Sequence, residues 1–139
     1  MDIDYALLAD HAEVLGGKLY LMGGGWDTTH APEAPASARI VVAIGVRIEW
    51  DETNQPIALG LALHDDDGQE LVRVEGQMQV GRPPALPPGA SQLSQTAVAI
   101  QAQLPAFGGY RVRLTARTPA GKERSRTLPF RLVQRPAGS

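Results

Sequence analysis

Cysteine is absent from the 139 residues, which excludes a disulfide framework, a thiolate metal site and a cysteine nucleophile. Long apolar runs are absent too: no stretch approaches the roughly 18 uncharged apolar residues that span a bilayer, so no membrane span is expected. The first ten residues are acidic and lack a basic segment followed by an apolar one, so they do not read as a signal peptide. A cytoplasmic location is the resulting expectation. No Gly-x-Ser-x-Gly elbow is present for a nucleophilic serine. The three histidines, His11, His30 and His64, stand singly without ligand spacing. Nothing therefore marks a catalytic residue, a resident metal or a cofactor, and the chain does not read as an enzyme.

What is present is alternation. Ile57, Leu59, Leu61 and Leu63 share one face, with Ala58, Gly60, Ala62 and His64 on the other. Val72, Val74, Gly76 and Met78 oppose Arg73, Glu75 and Gln77, after a turn at Asp65-Asp66-Asp67-Gly68. Thr96, Val98, Ile100, Ala102 and Leu104 repeat the pattern. So do Tyr110, Val112, Leu114 and Ala116, and then Leu128, Phe130 and Leu132. One buried and one wet face is the mark of antiparallel sheets covering a core. Ile40 to Ile44 are apolar on both faces and read as a strand covered on both sides. Asp4–His11 and Lys18–Met22 form a pair joined around Gly16-Gly17, and Tyr5–Val14 is compatible with a short helix but reads better as strand. Two stretches, 27–37 and 82–92, read as long proline-stiffened loops.

The expectation is thus one all-β domain over residues 1–134, an antiparallel two-sheet β-sandwich of about eight strands, Ig-like or jelly-roll-like, with 135–139 as a frayed tail. The length suits a single domain with its own core.

Charge is strongly divided. Residues 1–70 carry three basic against thirteen acidic side chains, whereas 71–139 carry ten basic against two acidic, for a net charge of −2. Arg111, Arg113 and Arg117 project from one face of one strand, and Arg124, Arg126 and Arg131 lie on the next. Paired, these strands would present an arginine-studded face for an acidic protein partner. The competing reading is pairing with acidic residues of the first half, within the chain or by self-association. Nucleic acid is disfavoured because no aromatic side chains alternate with these arginines.

Two other features invite a site. Gly23-Gly24-Gly25-Trp26 resembles a phosphate-cradling loop, but the loop-like Asp27-Thr28-Thr29-His30-Ala31-Pro32 follows where a helix N-terminus is required. The plainer reading is a strand-ending bend with Trp26 at the rim of the core; as a loop aromatic, Trp26 is also a candidate contact residue. His64, Asp65 and Asp67, helped by Asp27 from another loop, are conceivable cation ligands, but the spacing of a calcium loop is missing and a solvated turn explains them.

The order Ala9-Asp10-His11-Ala12, Gly16-Gly17-Lys18-Leu19, Gly24-Gly25-Trp26, then Asp65-Asp66-Asp67-Gly68 and Gly108-Gly109-Tyr110, resembles an uncharacterised family of small bacterial proteins, a domain of unknown function. The resemblance implies a compact β-sandwich and assigns no activity or site residue. The function expected from all this is a non-enzymatic protein-interaction or binding module. The alternatives are a small-molecule or metal-binding protein using the loops at one end, or a homo-oligomeric building block.

Overall fold

The computed structural model describes residues 1–136 and is all-β. Its strands are β1 (Asp2–Leu15), β2 (Lys18–Gly24), β3 (Thr28–Ala31), β4 (Ala36–Ile48), β5 (Ile57–Asp65), β6 (Glu70–Met78), β7 (Gln92–Leu104), β8 (Gly108–Arg117) and β9 (Glu123–Gln134). One sheet has the order β2-β1-β4-β7, the other β3-β9-β8-β5-β6. A single 3-10 turn, Trp50–Glu52, links β4 to β5.

Two expectations are corrected. The described residues form nine strands rather than about eight, and the second sheet is mixed rather than wholly antiparallel. Both corrections come from β3, which lies within the expected 27–37 loop and pairs parallel with β9, Thr28 opposite Arg131 through Ala31 opposite Gln134. Four residues are too few to show alternation, and Pro32 ends the strand by withholding an amide. The backbone ladder extends beyond it, with Arg131 N donating to Asp27 O at 2.9 Å and Arg135 N to Ala31 O at 2.8 Å. Of the expected tail, residues 137–139 lie outside the described residues.

The core fills the space between the sheets. Ile40, Val42, Ile44, Val46 and Ile48 of β4 face Leu61 and Leu63 of β5, Val112 and Leu114 of β8, and Phe130 and Leu132 of β9. Each such side chain contributes about 1.5–3 kcal/mol by leaving water. The doubly covered stretch of β4 is as expected: Ile40 through Ile44 are all buried.

The cover on the outer side has a structural cause. A bulge between Ile3 and Tyr5 changes the register against β4, so that Ile3, Ala6 and Leu8 point into the core and Tyr5 points away. That slip breaks period two and explains why this stretch also fits helical spacing. Tyr5 lies flat over its cross-strand partner Gly45, and its hydroxyl donates to Gln95 Oε1 at 2.7 Å. Burial pushes the Tyr5 phenol above its usual range, so it stays protonated and a donor. Beyond Ala9 the β1–β2 hairpin turns a corner at Asp10 and Gly23 and folds onto this face, where Ala9, Val41 and Ala43 are buried. Its tip is tied to β7 by Gln95 Nε2 donating to Gly17 O at 2.8 Å.

A buried carboxylate closes one end. Glu52 Oε1 accepts from the Met1 ammonium at 2.6 Å and from Glu49 N at 2.9 Å. Burial alone would raise the Glu52 pKa, but these hydrogen bonds, the ammonium charge and Lys122 together hold it below the usual range. A depressed folded value means the stabilisation is complete above the unfolded carboxylate value of about 4.3 and is lost as pH falls through the folded value. Glu52→Gln is therefore expected to melt below the parent at neutral pH, with the gap narrowing under pH 4 or so in thermal scans. A gap independent of pH would contradict this role.

Candidate functional site

The outer face of the five-stranded sheet carries the most distinctive surface. Its strand β5, between β8 and β6, presents only small side chains there: Ala58, Gly60 and Ala62, ending at His64. Register places β6 on one side, with Ala62 opposite Arg73 and Gly60 opposite Glu75. On the other side β8 sets Arg117 opposite Ala58, Thr115 opposite Gly60, Arg113 opposite Ala62 and Arg111 opposite His64. Long polar walls over a floor of small residues make a trough of about 550 Å³. Six residue steps along β5 give it a length of about 20 Å.

Its charges are unequally satisfied. Arg117 Nη2 donates to Glu123 Oε2 at 2.8 Å, across the β8–β9 pair. Arg73 donates to Glu70 at 2.6 Å and lies 3.5 Å from Glu75. The hydrogen bond from Arg73, and its charge, hold the Glu70 carboxyl below its usual range. His64 Nε2 lies 3.9 Å from Glu70. Arg113 is exposed and makes no ion pair or side-chain hydrogen bond among the described residues. Arg111 reaches only the Asp65 carbonyl, at 3.4 Å, and no carboxylate. In-chain pairing thus accounts for Arg73 and Arg117 but leaves Arg111 and Arg113 uncompensated.

The other arginines are spent elsewhere. Arg124 and Arg126 stand opposite Ala116 and Leu114, so they share the inward parity and do not extend the arginine face. Arg126 instead donates to the Ile3 carbonyl, joining the two sheets at their end. Arg131 keeps the outward parity and lies 3.9 Å from Asp27. Arg82 lies 4.0 Å over the Trp50 ring and donates to Thr53 Oγ1 at 2.8 Å. Arg47 pairs with Asp4 at 2.7 Å.

Trp26 packs at the rim of the core, as the plainer reading of the glycine run expects. The half-buried indole meets Phe130 edge-to-face, with centroids 5.9 Å apart, and Phe130 stacks on Tyr110 at 5.5 Å. Its Nε1 is buried without a partner. The glycines before it serve the chain path: Gly23 and Gly25 have φ of 63° and 78°, and Gly25 N donates to Leu8 O at 2.8 Å.

The acidic turn is held by its own backbone. Asp65 Oδ1 accepts from Asp67 N at 3.0 Å and Gln69 N at 2.9 Å, while Gly68 takes φ of 82°. Asp66 Oδ2 accepts from Gly109 N at 3.1 Å. Asp27 lies at the same end of the sheet, beside Arg131, but no three carboxylates or histidines converge among the described residues. Among those residues no helix is long and apolar enough to cross a membrane.

The arginines of β8 were visible in the alternation, whereas the trough was not. Its floor required knowing that β5 lies between β6 and β8, and Arg73 and Glu75 join the wall only through that order.

Two solved structures are similar over much of the chain. One is the X-ray structure of Northeast Structural Genomics Consortium target SoR45, 18% identical over 77% of this chain and 80% of that one, with a TM-score of 0.27. The other is the putative ApaA protein from Bordetella pertussis, 15% identical over 96% of this chain and 95% of that one, also at 0.27. No curated protein matches. The model of one family, described as a family of unknown function, matches residues 4–131, and the chain accordingly belongs to that family, DUF6941.

Proposed function

We propose that this domain is a non-enzymatic binding module that receives an extended acidic segment of a protein partner in the β5 trough. One observation carries the reading: Arg113 stands over a floor of Ala58, Gly60 and Ala62 without a carboxylate partner, and Arg111, opposite His64 at the end of that floor, has none either. An arginine fork matches a carboxylate bidentately, and a low floor lets an extended chain lie between the walls. About seven residues of strand fill its length. The neighbouring Arg73–Glu70 and Arg117–Glu123 pairs hold the walls in place and offer polar contacts at either side. A bacterial cytoplasmic setting belongs to the same proposal, on the sequence reading alone.

The test is fluorescence anisotropy with a labelled peptide of alternating Glu and Ser, about seven residues long. The parent chain is expected to bind it, more weakly as salt rises. Reversing Arg111→Glu and Arg113→Glu together is expected to cost at least about tenfold in affinity without lowering the melting temperature. Gly60→Val offers an independent arm. A Cβ at Gly60 meets no atom within 4 Å, so the variant folds but raises the floor, and binding should fall. Equal affinity for the parent and both variants would refute the proposal.

A further inference from the structure

We infer that the segment held in the trough carries a charge order, two acidic residues and then one basic residue at successive inward positions, with Glu75 selecting the basic one. This rests on the trough's role as a receptor for an extended segment, and it names what that segment contains.

The order comes from register. Each outward side chain of β5 is flanked by one residue of β6 and one of β8, which divides the trough into rungs. Ala58 lies between Gln77 and Arg117, and Gly60 between Glu75 and Thr115. Ala62 lies between Arg73 and Arg113, and His64 between Glu70 and Arg111. Successive rungs are two residues apart, about 6.7 Å along the strand. An extended ligand has the same repeat, so its residues i, i+2, i+4 and i+6 each face one rung.

The rungs differ in the charge they leave unmatched. At Ala58, Arg117 is held by Glu123 at 2.8 Å and Gln77 is neutral, so this rung calls for no charge. At Ala62 and His64, Arg113 and Arg111 have no carboxylate partner among the described residues, while Arg73 and Glu70 neutralise each other at 2.6 Å. Those two rungs call for acidic side chains. Gly60 is the reverse. Thr115 is neutral there, and Glu75 is 70% exposed and 3.5 Å from an Arg73 whose shorter bond goes to Glu70. Because Glu70 and Glu123 hold their arginines more closely, Glu75 is the carboxylate beside the floor with most capacity left for a cation.

Shape agrees with charge. Gly60 has no side chain, and a Cβ there would meet no atom within 4 Å, so the floor is lowest and most open at this rung. A lysine stem fits along that gap with its ammonium at the Glu75 wall. A glutamate in the same place would meet Glu75 as a like charge, so Glu75 also disfavours uniformly acidic segments.

Two labelled peptides of one composition test the order by fluorescence anisotropy. Glu-Ser-Glu-Ser-Lys-Ser-Gln sets its glutamates at the His64 and Ala62 rungs and its lysine over Gly60. Lys-Ser-Glu-Ser-Glu-Ser-Gln sets a glutamate over Gly60 whichever direction it runs. Their net charge is equal, so long-range attraction cancels in the comparison. The first is expected to bind the parent about fivefold tighter than the second. Glu75→Gln, at an exposed position, keeps the fold and should move two affinities in opposite senses. The first peptide weakens by about threefold, whereas the alternating Glu and Ser peptide tightens. Failure of every peptide to bind, the alternating one included, removes the receptor reading and this inference with it. Binding of the alternating peptide with no preference between the two isomers overturns the charge order alone. A preference that survives Glu75→Gln undiminished overturns the selection by Glu75.

Discussion

Gly45→Val is expected to lower the melting temperature by about 10 °C, from a loss of about 3 kcal/mol. The position lies mid-strand in β4 with ordinary φ, so the penalty is one of space rather than backbone strain. Any Cβ at Gly45 would overlap the Tyr5 ring, with Cε1, Cδ1 and Cζ all in its way. To relieve the overlap, Tyr5 must leave the strand surface and give up its hydroxyl bond to Gln95, itself worth about 1 kcal/mol. Gln95 also holds the hairpin tip through Gly17, so the folded-over hairpin should loosen with it. The cause is separable from a general intolerance of valine. Tyr5→Ala empties the space, and the double variant should be more stable than the two single effects summed, by more than about 0.5 kcal/mol. Strict additivity would show that the ring is not what excludes the side chain.

Trp26→Ala is expected to cost about 3–4 kcal/mol and to leave affinity for the acidic peptide unchanged. The indole covers Phe130, which in turn stacks on Tyr110, so removing it uncovers the rim of the core between the sheets. Trp26→Phe should recover most of that loss. Its Nε1 has no hydrogen-bond partner, so phenylalanine removes volume but strands no acceptor. Denaturant melts of the three chains check the order, and the same samples serve for peptide titration. A stable Trp26→Ala chain that no longer binds would restore tryptophan as a contact residue and move the site away from the trough.

Alternation made much of this fold legible. The faces of β8 and of the second halves of β7 and β9 follow period two, because each covers the core on one side and meets polar surroundings on the other. The uniform apolar run at Ile40–Ile44 correctly marked a strand with both faces buried, although what covers its outer face could not be read. That cover depends on a one-residue bulge after Ile3, which has no compositional signature, and on a bend at Gly23, which the run Gly23-Gly24-Gly25 does announce. β3 was missed for a different reason: a four-residue parallel strand takes its stability from β9, not from its own pattern.

The candidate site was legible by halves. Arg111, Arg113 and Arg117 share a face because they are two and four residues apart on one strand, as period two requires. Arg124 and Arg126 were grouped with them on charge alone, yet their parity with Ala116 and Leu114 turns them the other way. The small outward residues of β5 were equally visible, but they become a floor only when strand order sets them between two walls. Sheet order is a property of long-range pairing, and alternation is silent on it.

Chemical-shift mapping in a two-dimensional amide spectrum tests the central claim most directly. On titration with the acidic peptide, the largest shifts are expected along Ala58–His64 of β5, with Arg73–Gln77 of β6 and Arg111–Arg117 of β8 on either side, and little change at Trp26. Shifts spread evenly over every basic side chain, or centred on any other surface, would contradict the account.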